Sequence, residues 1–264
     1  MKSKLIPLLY ITLHLCAQGA WAQVPDGSDM HLPHTPFRLQ SRAEVQLPPA
    51  VDNSTQKFFP PILDQMGGSC AQASGIGYMF TYEINRLLDR DAHASADHRF
   101  SYQFSWNLLN DGQDQGDFVD QGLYLSERYG IMTEQDYGIS GTYQFKWATG
   151  YDKYYKALQY RTQEVLTFAD SIPLMKRWLY DAGDGSAVGG VLTFSAMSRG
   201  WDIDDDYQGP SLTGYRSLLK SLATDGAHAL TIAGYDDTVV YTDAQGTPHT
   251  GSLHRGQLLG APIA

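Results

Sequence analysis

Cysteine is scarce in this chain: Cys16 and Cys70 are the two examples in 264 residues. Cys16 falls in a segment with the features of an export signal, so the mature chain keeps one thiol and an internal disulfide is excluded. A leftover cysteine in an exported protein points to a reactive thiol, an intermolecular bridge or a small buried side chain. Long apolar runs are missing too. No stretch beyond the N-terminal segment approaches ~18 continuous apolar residues, so no membrane span is expected. Basic residues are the minority, 19 Lys and Arg against 29 Asp and Glu, for a net charge of −10. That balance disfavours a nucleic-acid or anionic-membrane partner. His31, His34, His93, His98, His249 and His254 lack the spacing of metal ligands, so surface positions are expected for them and neither a metal nor a cofactor is expected.

The N-terminus has the three parts of a secretory signal: basic Met1 to Lys4, apolar Leu5 to Cys16, and Ala20-Trp21-Ala22 as a small-x-small cleavage site. The bulky His14 and Leu15 disfavour Cys16 as a lipoprotein anchor. Residues 23–57 are rich in Pro and turn formers and read as an extended leader. A helix is expected from near Cys70 to Leu88, with small residues in its first half that permit close packing. Further helices are expected over Val119 to Tyr129 and Ile172 to Tyr180, the latter with Ser171 as N-cap and Pro173 in its first turn. The aromatic stretch from Tyr143 to Tyr160 is ambiguous between helix and irregular cover. Gly189 to Phe194, Ala229 to Tyr235 and Val239 to Thr242 read as strands, the last followed by a hairpin turn at Asp243 to Gly246. Helices first and strands second give an α+β layout, with a helical lobe over 58–165 and a β-rich lobe over 166–264. Asp202 to Gly209 lacks the spacing of a calcium loop and reads as solvated. Asn53-Ser54-Thr55 matches a glycosylation sequon, a pattern common by chance.

A cysteine thiol is only slightly ionised at neutral pH, so a catalytic one needs help. A helix N-terminus stabilises the thiolate through the dipole and offers free N–H groups to an oxyanion. Gly67-Gly68-Ser69 before Cys70 supplies the sharp turn that such a start requires. A histidine must then take or give the proton.

These residues resemble the papain-like cysteine peptidases. The run Asp64-Gln65-Met66-Gly67-Gly68-Ser69-Cys70 is similar to that family's Gln, Gly-containing turn and Gly-Ser-Cys at a helix start. Gly226-Ala227-His228-Ala229-Leu230-Thr231-Ile232-Ala233-Gly234-Tyr235 resembles its histidine strand. Tyr129 to Gly138 resembles the family's Gly-Ile, Glu and Tyr run, Gly190 to Phe194 is a weaker fourth match, and all four run in family order. The separation, 228 − 70 = 158, slightly exceeds the usual ~130–150. The resemblance implies a papain-like two-lobe fold with a β-barrel-like second lobe and a cleft between the lobes. It implies a polypeptide substrate, Cys70 as nucleophile, His228 as proton partner and Gln65 as oxyanion donor.

The sequence departs from the family in four places. The Gln65-to-Cys70 spacing is one residue short, Ala71 replaces a common aromatic residue, and the disulfide cysteines of eukaryotic members are absent. The largest departure is at the end. The family's Asn-Ser-Trp-Gly segment, whose Asn orients the histidine, is missing, and no apolar strand follows Gly251. The second lobe is therefore expected to lack its last strands. Neither Asp236 nor Asp237 has an argument for replacing the Asn. Besides peptide hydrolysis, the pattern admits acyl transfer by the same Cys and His, or a catalytically impaired binding domain.

The codons of His254 to Gly260 can be written so that reading one base later spells Ile-Val-Ala-Asn-Ser-Trp-Gly. Codon degeneracy permits this without requiring it, so two readings stand: a frameshifted or truncated gene, and a naturally divergent tail. Reading the gene past codon 251 checks this: the shifted frame should carry the segment, and an early stop or a different reading ends the idea.

Overall fold

The computed structural model describes residues 35–39, 45–138, 148–168, 171–214, 216–221, 225–243 and 246–255. The expected signal (1–22) and Tyr143, Phe145 and Trp147 of the aromatic stretch lie outside the described residues.

The described part of the leader is built into the sheets. β1 (Thr35–Pro36) pairs in parallel with β3 (Leu166–Thr167), and Phe37 stacks on Phe168 with ring centroids 4.3 Å apart. β2 (Ala50–Asp52) adds to the main sheet. Asn53 is buried, and its Nδ2 donates to the carbonyls of Leu179 and Gly190, each at 2.8 Å. Both amide hydrogens are thus engaged in the folded chain, which leaves the sequon no free acceptor nitrogen. The leader reads as extended because its polar and Pro-rich sequence serves edge pairing, where periodicity is weak.

The helical run beginning at Cys70 comprises α1 (Cys70–Gln72), a π-helical stretch (Ala73–Phe80) and α2 (Thr81–Leu88). All residues from Ala71 to Asn85 are buried. The small side chains of the first half let the run pass close to its neighbours. α3 (Tyr102–Asn110) and α4 (Val119–Tyr129) pack beside it. α3 has no predicted counterpart, since its buried face mixes Tyr102, Gln103, Phe104, Ser105, Trp106 and Asn107. α5 (Tyr151–Ala157) resolves part of the ambiguous aromatic stretch as helix, and α6 (Ile172–Asp181) starts with Pro in its first turn.

The sheet is organised by β7 (Ala227–Thr242). It pairs with β2, with β4 (Leu192–Met197) and with β8 (Pro248–Arg255), always antiparallel. Ile232 pairs with both Leu192 and Arg255, and Gly234 with both Asp52 and His254. A residue's two partners lie on opposite edges, so β4 and β2 follow one another along one edge and β8 occupies the other. Register shifts at Ile232/Gly234 and Asp236/Val240 mark bulges. At the first, two β7 residues advance against one, which changes the parity of the side chains. Ala229 and Ala233 accordingly pack with the helical run, whereas Ile232 and Tyr235 pack with Phe168, Met175, Trp178 and Leu179 around α6. β5 (Asp202–Asp204) and β6 (Leu218–Ser221) form a separate antiparallel pair, so the acidic segment at 202–209 is partly strand where a loop was expected. Among the described residues the strands do not close into a barrel.

β8 continues past Gly251, where no apolar strand was expected, as a largely polar strand. Its backbone pairs with β7 through Arg255. The sequence hides it because an edge strand on a long neighbour needs backbone hydrogen bonds more than an apolar face.

Two polar devices join helices to strands. Glu83 of α2 is buried, accepting the Val191 N–H at 3.0 Å and the Arg86 Nε at 3.0 Å. Ser74 Oγ bonds Thr231 Oγ1 at 3.0 Å and also Thr193 Oγ1, tying the π-helical stretch to β7 and β4. A third device holds the loop before β6. Asp236 is fully buried; Oδ2 accepts from the N–H groups of Leu212 (2.7 Å) and Thr213 (3.1 Å), and Oδ1 from Thr238 N–H (2.9 Å) and Oγ1 (2.6 Å). Burial alone would raise its ionisation, but the bonds from Thr238, Thr213 and Ser211 outweigh it and hold the carboxyl well below the usual carboxylate range.

Because the folded value is depressed, Asp236 stabilises the fold fully above the ordinary carboxylate range, and this contribution is lost as pH falls through the folded value. Asp236→Asn should destabilise the protein by about 2–4 kcal/mol at neutral pH. It should also flatten the acid side of the stability-versus-pH curve. Urea unfolding at several pH values measures both, and an unchanged curve refutes the role.

Candidate active site

Cys70 is the first residue of the helical run and is half-buried. The turn before it is tight: the N–H and Oγ of Ser69 donate to the Met66 carbonyl at 3.4 and 2.6 Å. Gly67 has φ 53°, a left-handed conformation that glycine adopts without a steric cost. The Gly68 N–H donates to Asp114 Oδ1 at 2.8 Å. A Cβ on Gly68 would stand 2.8 Å from the Gln115 carbonyl carbon and 2.9 Å from the Gly116 nitrogen. The loop between α3 and α4 is thus pressed directly against the turn that presents the thiol. The Ala73 N–H to Ser69 carbonyl bond, 2.9 Å, starts the helix.

His228 lies near the start of β7, half-buried and opposite Ala196 of β4. The next residue supplies the link: the Ala229 backbone N–H hydrogen-bonds the Cys70 sulfur. The strand carrying His228 therefore meets the start of the helical run at the thiol, although 158 residues (228 − 70) separate them. The Trp201 ring lies edge-on to the His228 ring, centroids 6.4 Å apart. β8 is described to Arg255, opposite Ile232, four positions along β7 from His228. Asp236 is committed to the loop and strand described above, and Asp237 pairs with Lys176 at 2.5 Å.

Burial pushes the Cys70 thiol up from its ordinary value. The Ala229 N–H pulls the other way, the Asp117 carboxylate adds to the rise, and the Ala71 and Cys70 amides oppose it. A thiolate here is thus stabilised by backbone amides and opposed by desolvation and one acidic neighbour.

Gln65 is half-buried, and its Oε1 is buried without a hydrogen-bond donor. Gln72, two residues after the cysteine, is fully buried. Its Nε2 donates to the Phe118 carbonyl at 3.3 Å. Gly122 of α4 makes room for it, since a Cβ there would lie 1.9 Å from Gln72 Oε1. Asp117 accepts from Asn110 Nδ2 at 3.2 Å. Burial pushes its carboxyl up to about 7, against the Gln72 and Asn110 hydrogen bonds.

Of the residues singled out from the sequence, Cys70 and the strand of His228 are brought together, and Gln65 stands on the segment leading into the turn. Asp117, Gln72, Asn110 and Trp201 are not legible in advance. In sequence Asp117 is one of several acids in Asp111 to Asp120, and nothing marks it as the buried one. Among the described residues no group of His, Cys, Asp and Glu is arranged to hold a metal ion, and no helix is long and apolar enough to cross a membrane.

The architecture has a counterpart among solved structures. It is similar to xylellain, a cysteine protease from Xylella fastidiosa, with a TM-score of 0.51 and 18% sequence identity, covering 77% of this chain and 76% of that one. At that identity the likeness establishes a shared mixed helix-and-sheet fold. No protein-family model and no curated protein matches the sequence.

The packing of the turn gives a matched pair of variants. Gly68→Ala should destabilise by about 1–3 kcal/mol, because its methyl meets backbone that cannot swing aside. At Gly116 a Cβ would meet nothing within 4 Å, so Gly116→Ala should change stability by no more than about 0.5 kcal/mol. Equal effects in urea unfolding contradict the tight contact.

Proposed function

We propose that this chain is a papain-like cysteine peptidase, exported by its N-terminal segment, that hydrolyses peptide bonds through an acyl-enzyme on Cys70. The observation that carries this reading is the bond from the Ala229 N–H to the Cys70 sulfur, which sets the thiol beside the strand of His228. The fold shared with a structure described as a cysteine protease supports it. So do the two buried clusters, one centred on the helical run and one on α6 and β7, which fit two lobes with substrate between them.

In this reading His228 takes the thiol proton and the thiolate attacks the peptide carbonyl. The tetrahedral oxyanion forms where the Cys70 backbone N–H and the Gln65 Nε2 can donate to it. Collapse expels the amine, protonated by His228, and leaves a thioester. Water, deprotonated by His228, then attacks the thioester and frees the acid and the thiol. The unpartnered Oε1 of Gln65 fits a side chain whose polar partners arrive with substrate. A second reading, a catalytically impaired binding domain, is favoured by the upward push on the thiol.

A peptide carrying a thiol-directed electrophile separates the readings. It should label the wild type, fail on Cys70→Ala, and react with His228→Ala at least about 10³-fold more slowly. Absence of labelling in a folded wild type would falsify the peptidase reading and favour the binding domain. Amine incorporation in place of hydrolysis points to acyl transfer.

A further inference from the structure

A histidine that passes a proton between a sulfur and a leaving amine must hold its ring in one plane, and a strand does not do that by itself. Backbone pairing opposite Ala196 fixes the Cα of His228 and the direction in which its side chain leaves the sheet. Rotation of the imidazole about its last bond stays open, because such sp³–sp² torsions have broad wells. A side chain packed against the ring can close it. The Trp201 indole is packed there: the ring centroids are 6.4 Å apart and the planes are inclined by 65°, inside the ~4.5–7 Å range of edge-to-face aromatic contacts.

The indole is itself held in the frame of His228. Its Nε1–H donates to the carbonyl of Met197, the last residue of β4. β4 pairs with β7 as Met197 with Ala227 and Ala196 with His228. The Trp201 N–H donates to the Ser198 carbonyl at 3.2 Å, closing a turn through Gly200, whose φ of 82° is left-handed. That turn is latched to the two residues before β7. Ser198 is buried, and its N–H and Oγ donate to the Gly226 carbonyl at 2.8 and 2.7 Å. The Arg199 N–H donates to the Asp225 carbonyl at 3.0 Å. A Cβ on Gly226 would stand 2.8 Å from Arg199 Cβ, so the turn and the start of the strand are in direct contact. The ring thus reaches His228 from a turn fastened both to the neighbouring strand and to the histidine's own strand.

We propose that Trp201 is a positioning residue for His228: the indole, fixed by Met197 and by the latched turn, limits rotation of the imidazole and keeps it aligned for proton transfer with Cys70. The proposal rests on the reading of His228 as the proton partner. Trp201 takes no proton and forms no bond in the reaction, since its Nε1–H is committed to the Met197 carbonyl. It acts on the fraction of time the imidazole is aligned, so it bears on turnover and not on substrate affinity.

Peptide hydrolysis by the full chain and NMR of histidine-labelled protein test this together. Trp201→Ala should lower kcat roughly 10- to 100-fold with KM within about threefold of wild type. Trp201→Phe keeps a ring at that place and should recover kcat to within about fivefold. A folded Trp201→Ala with wild-type kcat overturns the proposal. So does a loss confined to KM, which would make the indole a substrate contact. The NMR measurement needs no substrate. The His228 ring signal is the one missing from His228→Ala. In the wild type it should show cross-relaxation with the indole protons and carbon-13 relaxation as slow-moving as that of the backbone. In Trp201→Ala it should shift and relax as a mobile ring. No indole contact in the wild type, or an equally rigid ring in a folded Trp201→Ala, overturns the proposal. The wild-type contact decides even where the variant fails to fold. A held ring in a chain that cleaves no peptide removes the peptidase reading and leaves the positioning standing, so the two failures are distinguishable.

Discussion

The rest of the structure depends on one contact, where the start of the helical run meets β7. The Ala229 amide of β7 favours the ionised sulfur at the first turn of the run, and this is possible only because the elements approach closely. Ser74 of the run meets Thr231 of the strand, and Ala71 and Ala73 share a buried cluster with Ala229 and Ala233. Larger residues would separate the two and leave the thiol without its amide. Hydroxyl pairs then fix the approach: Ser74 with Thr193 and Thr231 tolerates no slip of the helix along the sheet.

Such closeness has a chemical consequence. The packing that brings donors to the sulfur also removes water from it, and desolvation favours the neutral thiol. A reactive thiol needs the opposite. Backbone amides resolve part of the conflict, because they stabilise negative charge without carrying a charge that must itself be desolvated. The acidic neighbour works against them when ionised, so its protonation state matters more than that of any exposed acid. Burial thus raises the ionisation of the thiol and of Asp117 alike.

The fold was legible where residue chemistry is local. Periodicity and capping residues predict α4 at Val119–Tyr129 and α6 from Ile172, and the apolar run after His228 predicts β7. The Gly-Gly-Ser turn predicts the position of Cys70 at a helix start, since those requirements are steric. What the sequence conceals depends on partners distant along the chain. α3 buries a mixed polar and aromatic face, and β8 owes its place to the backbone of β7. Asn53 is a sequon in one dimension and an anchor for α6 and the strand beyond it in three. Asp117 and Asp236 look alike in sequence. One is pushed up by burial against two hydrogen bonds, the other is held down by the donors that surround it.

The two aspartates show how the same burial can be spent in opposite ways. Asp236 lies where the backbone turns twice, at Leu212–Thr213 and at Thr238, and each turn directs N–H groups inward. The carboxylate completes both turns, so charge there stabilises structure. This commitment also removes it from chemistry, because a carboxylate held by four or more donors has little basicity left to orient a histidine. Near His228 itself the Trp201 ring stands edge-on to the imidazole, and β8 runs antiparallel along β7 toward it. Asp117 keeps one buried carboxyl oxygen without a donor, and burial raises its ionisation against the bonds from Gln72 and Asn110. Donors commit Asp236 to structure, whereas desolvation holds Asp117 near neutrality, so the surroundings and not the residue type set each charge.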